Sequence, residues 1–198
     1  MKAHNKASAW FDEMYQENRE TQEKIPWARQ AVNPLLQSYL DENREHKGTA
    51  LVIGCGLGDD AHALELSGYK VTAIDVSESA LAQAKERFPK SSICFKKQDI
   101  FEYEAEFDFV FEAFTIQSLP LEFREKMIKA VAKRVAKNGT LLIVAHKLEH
   151  EFQGPPYPLT KEEIDKFKEH DLEEYSFEIH TEASKISNSR FRVLYKVI

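Results

Sequence analysis

Two apolar runs, 50–53 and 71–74, flank a glycine-rich turn and one helix-length segment in LVIGCGLGDDAHALELSGYKVTAIDVS, residues 51–77. A crossover that long commits the two strands to run parallel, because an antiparallel pair would need only a short turn. The rhythm continues beyond this unit. Runs at 93–95, 107–111 and 141–145 read as continuous rather than alternating apolar segments, as strands covered on both faces do.

Helical patterns lie between the runs. Ser77 can cap a helix carrying Leu81, Ala84 and Phe88, with Pro89 as its stop. Pro120 suits a first helical turn, after which Phe123, Met127, Val131 and Val135 recur every four residues until Gly139. Thr160 and Glu163 make a capping box ahead of Ile164 and Phe167. The tail breaks the pattern: 175–183 and 191–198 read as antiparallel strands joined by the polar turn SKISNS. Before residue 48, one helical pattern carries Trp10, Phe11, Met14 and Tyr15 and another carries Leu35, Leu36, Tyr39 and Leu40; both read as a cover on the sheet.

These features predict an α/β protein, a Rossmann-like three-layer αβα sandwich. Its seven-stranded sheet is mostly parallel with a C-terminal antiparallel hairpin. A single domain is expected over 1–198, with 1–47 as helical cover and 48–198 as core. A chain of 198 residues can bury one such core. No run approaches the roughly 20 apolar residues a bilayer crossing needs, and the N-terminus lacks the apolar stretch of a secretion signal. A net charge of −6 argues against a nucleic-acid partner. Cys55 and Cys94 are too few for a disulfide framework and lack metal-ligand spacing. The expectation is a cytoplasmic protein acting on a small molecule, with no nucleic-acid or membrane partner and no metal.

Gly54, Gly56 and Gly58 form G-x-G-x-G directly after a strand, where the backbone must turn sharply and approach a ligand closely. The helix that follows points free N–H groups at the same place. Asp75 ends the next strand, 21 residues after Gly54, where a carboxylate can accept hydrogen bonds from both ribose hydroxyls. The dinucleotide fingerprint G-x-G-x-x-G is not met, because Asp59 and Asp60 follow Gly58 and two carboxylates would repel a pyrophosphate. S-adenosylmethionine (SAM) combines a ribose and an adenine with a sulfonium and an ammonium and has no phosphate, so it tolerates them.

At these residues the chain resembles the class I SAM-dependent methyltransferases, over roughly 49–198. GCGLG resembles the family's cofactor loop and Asp75 its ribose-binding acid. Asp99–Ile100, in KKQDIFEY, resemble the place that holds the adenine amino group. Most of the family keeps an acid two residues before the first glycine, but this chain has Val52. That departure, with IPWARQAVNPLL, EAFTIQSLP and GPPYPLTKEEI, is similar to the thiopurine and thiol or halide methyltransferase subgroup. The resemblance implies SAM as cofactor, S-adenosylhomocysteine (SAH) as its product, and Trp27, Gly54, Gly56, Gly58, Asp75, Val76, Asp99 and Ile100 as the cofactor set. Trp27 has two readings: a seal on the N-terminal helices, or an indole face against the sulfonium.

On the acceptor side, Glu112 and Gln117 follow the fourth strand, where open α/β sheets bind ligands. Gln117 reads equally as a helix cap. His146 ends the fifth strand and reads either as a proton-transfer group or as a half-exposed strand-end histidine. GPPYP lacks the preceding Asn or Asp of DNA amino-methylating enzymes and follows the fifth strand, so it reads as a rigid loop that brings Tyr157 near the acceptor. The expected reaction is in-line methyl transfer to a soft nucleophile such as a thiol, which needs no strong base. An oxygen or nitrogen acceptor, with Glu112 or His146 as base, and a non-catalytic SAM or nucleoside binder stay open.

Overall fold

A computed structural model describes residues 3–45, 47–181 and 186–197. The strands are β1 (Thr49–Ile53), β2 (Lys70–Asp75), β3 (Cys94–Lys97), β4 (Phe107–Ala113), β5 (Val135–His146), β6 (Leu172–Thr181) and β7 (Ser189–Val197). They form one seven-stranded sheet in the order β3-β2-β1-β4-β5-β7-β6. The helices are α1 (Ala3–Glu17), α2 (Pro34–Glu42), α3 (Asp59–Leu66), α4 (Glu78–Arg87), α5 (Arg124–Ala132) and α6 (Lys161–Asp165). The α/β class and the mixed sheet expected from the sequence are the ones observed. The chain divides into two compact units, Met1–Glu102 and Tyr103–Ile198.

In the first unit β1 pairs parallel with β2, and β2 with β3. Ala50–Ile53 of β1 are all buried, which is why this strand reads as an unbroken apolar run. Ser77 caps α4 as expected, its hydroxyl accepting the N–H of Ala80. Asn33 caps α2 in the same way, accepting from Leu35 N–H, with Pro34 at the first helical position. The N-terminal pattern is helical. Tyr15 joins Ile25, Leu57 and Ala80 in a buried cluster, so α1 lies on α4 and the loop after β1.

In the second unit β4 pairs parallel with β5, and β7 runs antiparallel between β5 and β6. The turn SKISNS and the expected strand ends Ala183 and Ile198 lie partly or wholly outside the described residues. The capping box forms, with Thr160 accepting from Glu163 N–H and Glu163 from Thr160 N–H. Ile164 and Phe167 beyond it are fully buried.

The helix expected to run to Gly139 stops at Ala132. Val135 fits a four-residue spacing, yet it opens β5 and pairs with Phe107, whose N–H takes the carbonyl of Arg134 (2.8 Å). The register then shifts between Phe107 and Phe109, with Asn138 left-handed (φ 64°). A Cβ on Gly139 would lie 2.8 Å from the Ala136 carbonyl and 3.0 Å from that of Phe107. Gly139 serves a close backbone approach in a bulge rather than a helix end.

Candidate cofactor and acceptor sites

The loop between β1 and α3 is closed by its own backbone and by neighbouring side chains. Cys55 N–H donates to Ile74 carbonyl (3.0 Å), and Gly58 N–H to Cys55 carbonyl (2.9 Å). Cys55 is buried, in keeping with a packing role. Gly58 is left-handed (φ 86°), and a Cβ there would meet Ala84 and Phe95 within 3.2 Å. Gly56 is also left-handed (φ 50°), and a Cβ there would lie 2.7 Å from the hydroxyl of Tyr15.

Asp75 is nearly buried at the end of β2. Its Oδ2 accepts Gly56 N–H and its Oδ1 accepts Ser77 N–H, both at 2.9 Å. Burial pushes its pKa above the usual carboxylate range, while those N–H groups pull it down. A carboxylate oxygen has two acceptor positions, so the group keeps acceptor capacity beyond these two bonds. Val76 beside it is an exposed apolar side chain. The Gln98 N–H donates to the Asp75 carbonyl (3.0 Å), which brings Asp99 and buried Ile100 to the same strand end.

Asp59 and Asp60, the carboxylates expected to repel a pyrophosphate, are both engaged by the protein itself. Arg87 reaches back from the last turn of α4 and clamps Asp59 at 2.6 and 2.7 Å, while also donating to the Leu57 carbonyl (2.8 Å). Asp60 accepts the N–H of Asn33 (2.7 Å), and burial pushes its pKa up to about 6. The loop's acids are thus spent on its own architecture.

Trp27 packs against α1 and the loop after β1. It is half-buried against the Tyr15, Ile25, Leu57 and Ala80 cluster, and its Nε1–H donates to the Tyr15 hydroxyl (2.8 Å). Its indole also meets Trp10 and Phe11 edge-on, with centroids 5.4 and 5.5 Å away. This is an electron-rich aromatic surface beside the loop.

In the second unit Glu112 is fully buried at the end of β4. Its Oε1 accepts Thr115 N–H (2.6 Å) and Ile116 N–H (2.9 Å), while its Oε2 is buried with no hydrogen-bond partner among the described residues. Burial pushes its pKa up to about 7, against those N–H groups and the charge of Arg124. Gln117 is no helix cap: its Oε1 accepts His146 N–H (2.8 Å), and its carbonyl accepts Tyr157 N–H (2.6 Å). Gln117 therefore links the backbones of His146 and Tyr157. His146 is buried rather than half-exposed, its ring lying 5.0 Å from that of Phe114. Among the described residues no group of three or more His, Cys, Asp or Glu is arranged to hold a metal.

The model of the family described as thiopurine S-methyltransferase matches residues 11–192. The chain belongs to the thiopurine S-methyltransferase family. The subgroup read from Val52 and its companion motifs is this one. Among relatives, thiocyanate methyltransferase 1 of Arabidopsis thaliana is 30% identical over 154 residues, 75% of this chain and 66% of its own length. Thiopurine S-methyltransferase of Legionella pneumophila (strain Corby) is 27% identical over 182 residues, 81% of this chain and 80% of its own. The fold is also that of N-methyltransferase NodS from Bradyrhizobium japonicum WM9, solved with SAH, at TM-score 0.74 and 19% identity over 94% of this chain and 99% of that one. It is shared with magnesium protoporphyrin IX methyltransferase from Synechocystis PCC 6803, solved with SAM, at TM-score 0.73 and 16% identity over the whole of both chains.

In this thiopurine S-methyltransferase-family chain, sequence reading missed Asp12, Arg87 and Arg124. Asp12 Oδ1 accepts from Ser77 Oγ (2.8 Å) and Ser79 N–H (3.0 Å), tying α1 to the start of α4. Arg87 looked like an ordinary cation at a helix C-terminus, where the dipole favours one. Arg124 left a usable signal, because a cation opening a helix opposes the dipole and needs another reason to be there.

Proposed function

We propose that the chain transfers the methyl group of SAM to a small thiol or related sulfur nucleophile, releasing SAH. The carrying observation is Asp75, a buried acceptor-only carboxylate oriented by Gly56 and Ser77 and adjoining exposed Val76. That acceptor fits an uncharged ribose diol, and the aromatic surface around Trp27 fits a cation, as a sulfonium is. The relatives named for thiocyanate, thiol and thiopurine methylation support a soft acceptor.

When bound, SAM supplies a methyl group made electrophilic by its sulfonium. Asp75 would take the ribose hydroxyls, Val76 and Ile100 would flank the adenine, and Asp99 would accept from its amino group. Trp27 would face the sulfonium, a contact worth about 0.5–2 kcal/mol over an aromatic ring. Gln117 and Tyr157 line the acceptor. The chain's main work is alignment, which can lower a barrier by roughly 7–11 kcal/mol. Glu112, with its pKa near neutrality and Oε2 unpartnered, is better suited than ring-packed His146 to accept the thiol proton.

Calorimetry should show SAM and SAH binding, weakened at least tenfold by Asp75→Ala. Labelled SAM should then pass its methyl group to hydrosulfide, thiocyanate, a thiopurine or a small aromatic thiol. Transfer to oxygen or nitrogen acceptors alone would overturn the soft-nucleophile reading. Binding without transfer to any component of a mixed extract would make the chain a SAM-binding protein, and NADH binding in place of SAM would overturn the donor.

A further inference from the structure

Tyr157 is held at both of its backbone groups. Its N–H donates to the Gln117 carbonyl (2.6 Å), and its carbonyl accepts from Arg124 Nη2 (2.7 Å). The same guanidinium reaches Glu163 Oε2 through Nη1 (3.3 Å), and that carboxylate oxygen also accepts Thr160 N–H (2.9 Å) in the capping box of α6. Two further bonds hold the other side of the loop: Leu159 N–H to the His146 carbonyl (2.9 Å) and Leu148 N–H to the Leu159 carbonyl (2.7 Å). Arg124 is only 3% exposed.

For the stability of α5 alone, an arginine here is a poor choice. It opens the helix against the dipole, and burying it carries a desolvation cost that an apolar side chain would avoid. Burial lowers its own pKa, while Glu163 and Glu112 oppose that shift, so its charge is supported from both sides. What the arginine adds is a planar fork that reaches two points far from it in sequence, the loop at Tyr157 and the start of α6.

We propose that Arg124 is a positioning residue for the acceptor: it anchors the Tyr157 loop and the start of α6 to the first turn of α5, so that the acceptor wall is formed before substrate arrives. This rests on the reading above that Tyr157 and Gln117 line the acceptor. A loop held in its bound conformation spares the ordering cost at binding, so the effect belongs in acceptor affinity more than in turnover.

The test compares Arg124→Met and Arg124→Lys with the unaltered protein. Without any ligand, amide hydrogen exchange across 154–160 should quicken at least tenfold in Arg124→Met, with Arg124→Lys in between. SAH affinity should stay within twofold. The KM for a thiol such as hydrosulfide should rise at least tenfold while kcat falls less than threefold, and Arg124→Lys should recover most of the KM. Unchanged exchange in folded Arg124→Met, or a KM within twofold of the original, overturns the proposal. If Arg124→Met does not fold, Glu163→Gln keeps an acceptor for Thr160 N–H while removing the ion pair; it should move exchange and KM in the same directions, and unchanged exchange there also overturns it. If the unaltered protein methylates no thiol, faster exchange in Arg124→Met upholds the anchor and overturns only the thiol reading.

Discussion

Glu112 ends a strand with no solvent around its carboxyl, and burial pushes its pKa to about 7 from an ordinary value near 4.5. The folded protein therefore holds this proton more tightly than the unfolded chain does. The stability it contributes is complete below pH 4.5 and is lost as pH rises through 7, about 3 kcal/mol at 1.36 kcal/mol per unit. Urea unfolding should show the protein losing stability between pH 5 and pH 8 relative to Glu112→Gln by that order; parallel curves would remove Glu112 as the titrating group. Arg87 makes a different prediction. Arg87→Ala leaves Asp59 and the Leu57 carbonyl without their clamp, so SAH binding should weaken and stability should fall by roughly 1–3 kcal/mol. A lysine there should recover only part of this, because it cannot make the two-pronged contact; full recovery in calorimetry would show that charge alone suffices. The positions of Asp75 and Ser77 were legible because a strand end and a helix start are marked locally in the sequence. Arg87 and Arg124 were not, since their partners lie 28 and 33 residues away along the chain.

At the scale of elements, local signals predicted local structure. The Ser77 cap and the Thr160–Glu163 box are contacts across three residues, so their geometry is present in the sequence. The end of α5 was not. Val135 continues a four-residue spacing, but its place is decided by pairing with Phe107, a contact no periodicity describes. The attachment of α1 was equally hidden, because Asp12 joins the capping of α4 from 65 residues away. Asp12→Ala removes an acceptor shared by Ser77 and Ser79, and should cost about 1 kcal/mol, as a lost cap does. Amide exchange in α1 should quicken in the same variant; unchanged exchange would mean that the aromatic contacts of Trp27 hold α1 without it.

For the molecule as a whole, the proposed cofactor site ties binding to stability. SAH at about 100 times its Kd should stabilise the folded state by about 2.7 kcal/mol. For a chain of this size that corresponds to a Tm rise of roughly 5–10 °C. Asp75→Ala should show little of that rise at the same SAH concentration, and an undiminished shift would place the ligand elsewhere. The strand rhythm was legible at this scale because a strand covered on both faces needs unbroken apolar sequence. The long β5 was only half seen, since its first residues sit on the far side of a bulge.

The sequence by itself determined the order of strands and helices, the loop after β1 with Asp75 opposite it, and the family to which both point. Each rests on period, spacing or a cap spanning a few residues. Only the tertiary structure decided which side chains answer one another: Arg87 for Asp59, Tyr15 against Gly56, Arg124 for Tyr157. Those contacts join segments tens of residues apart. A buried charge or a crowded glycine becomes understandable only when the segment folded against it is known.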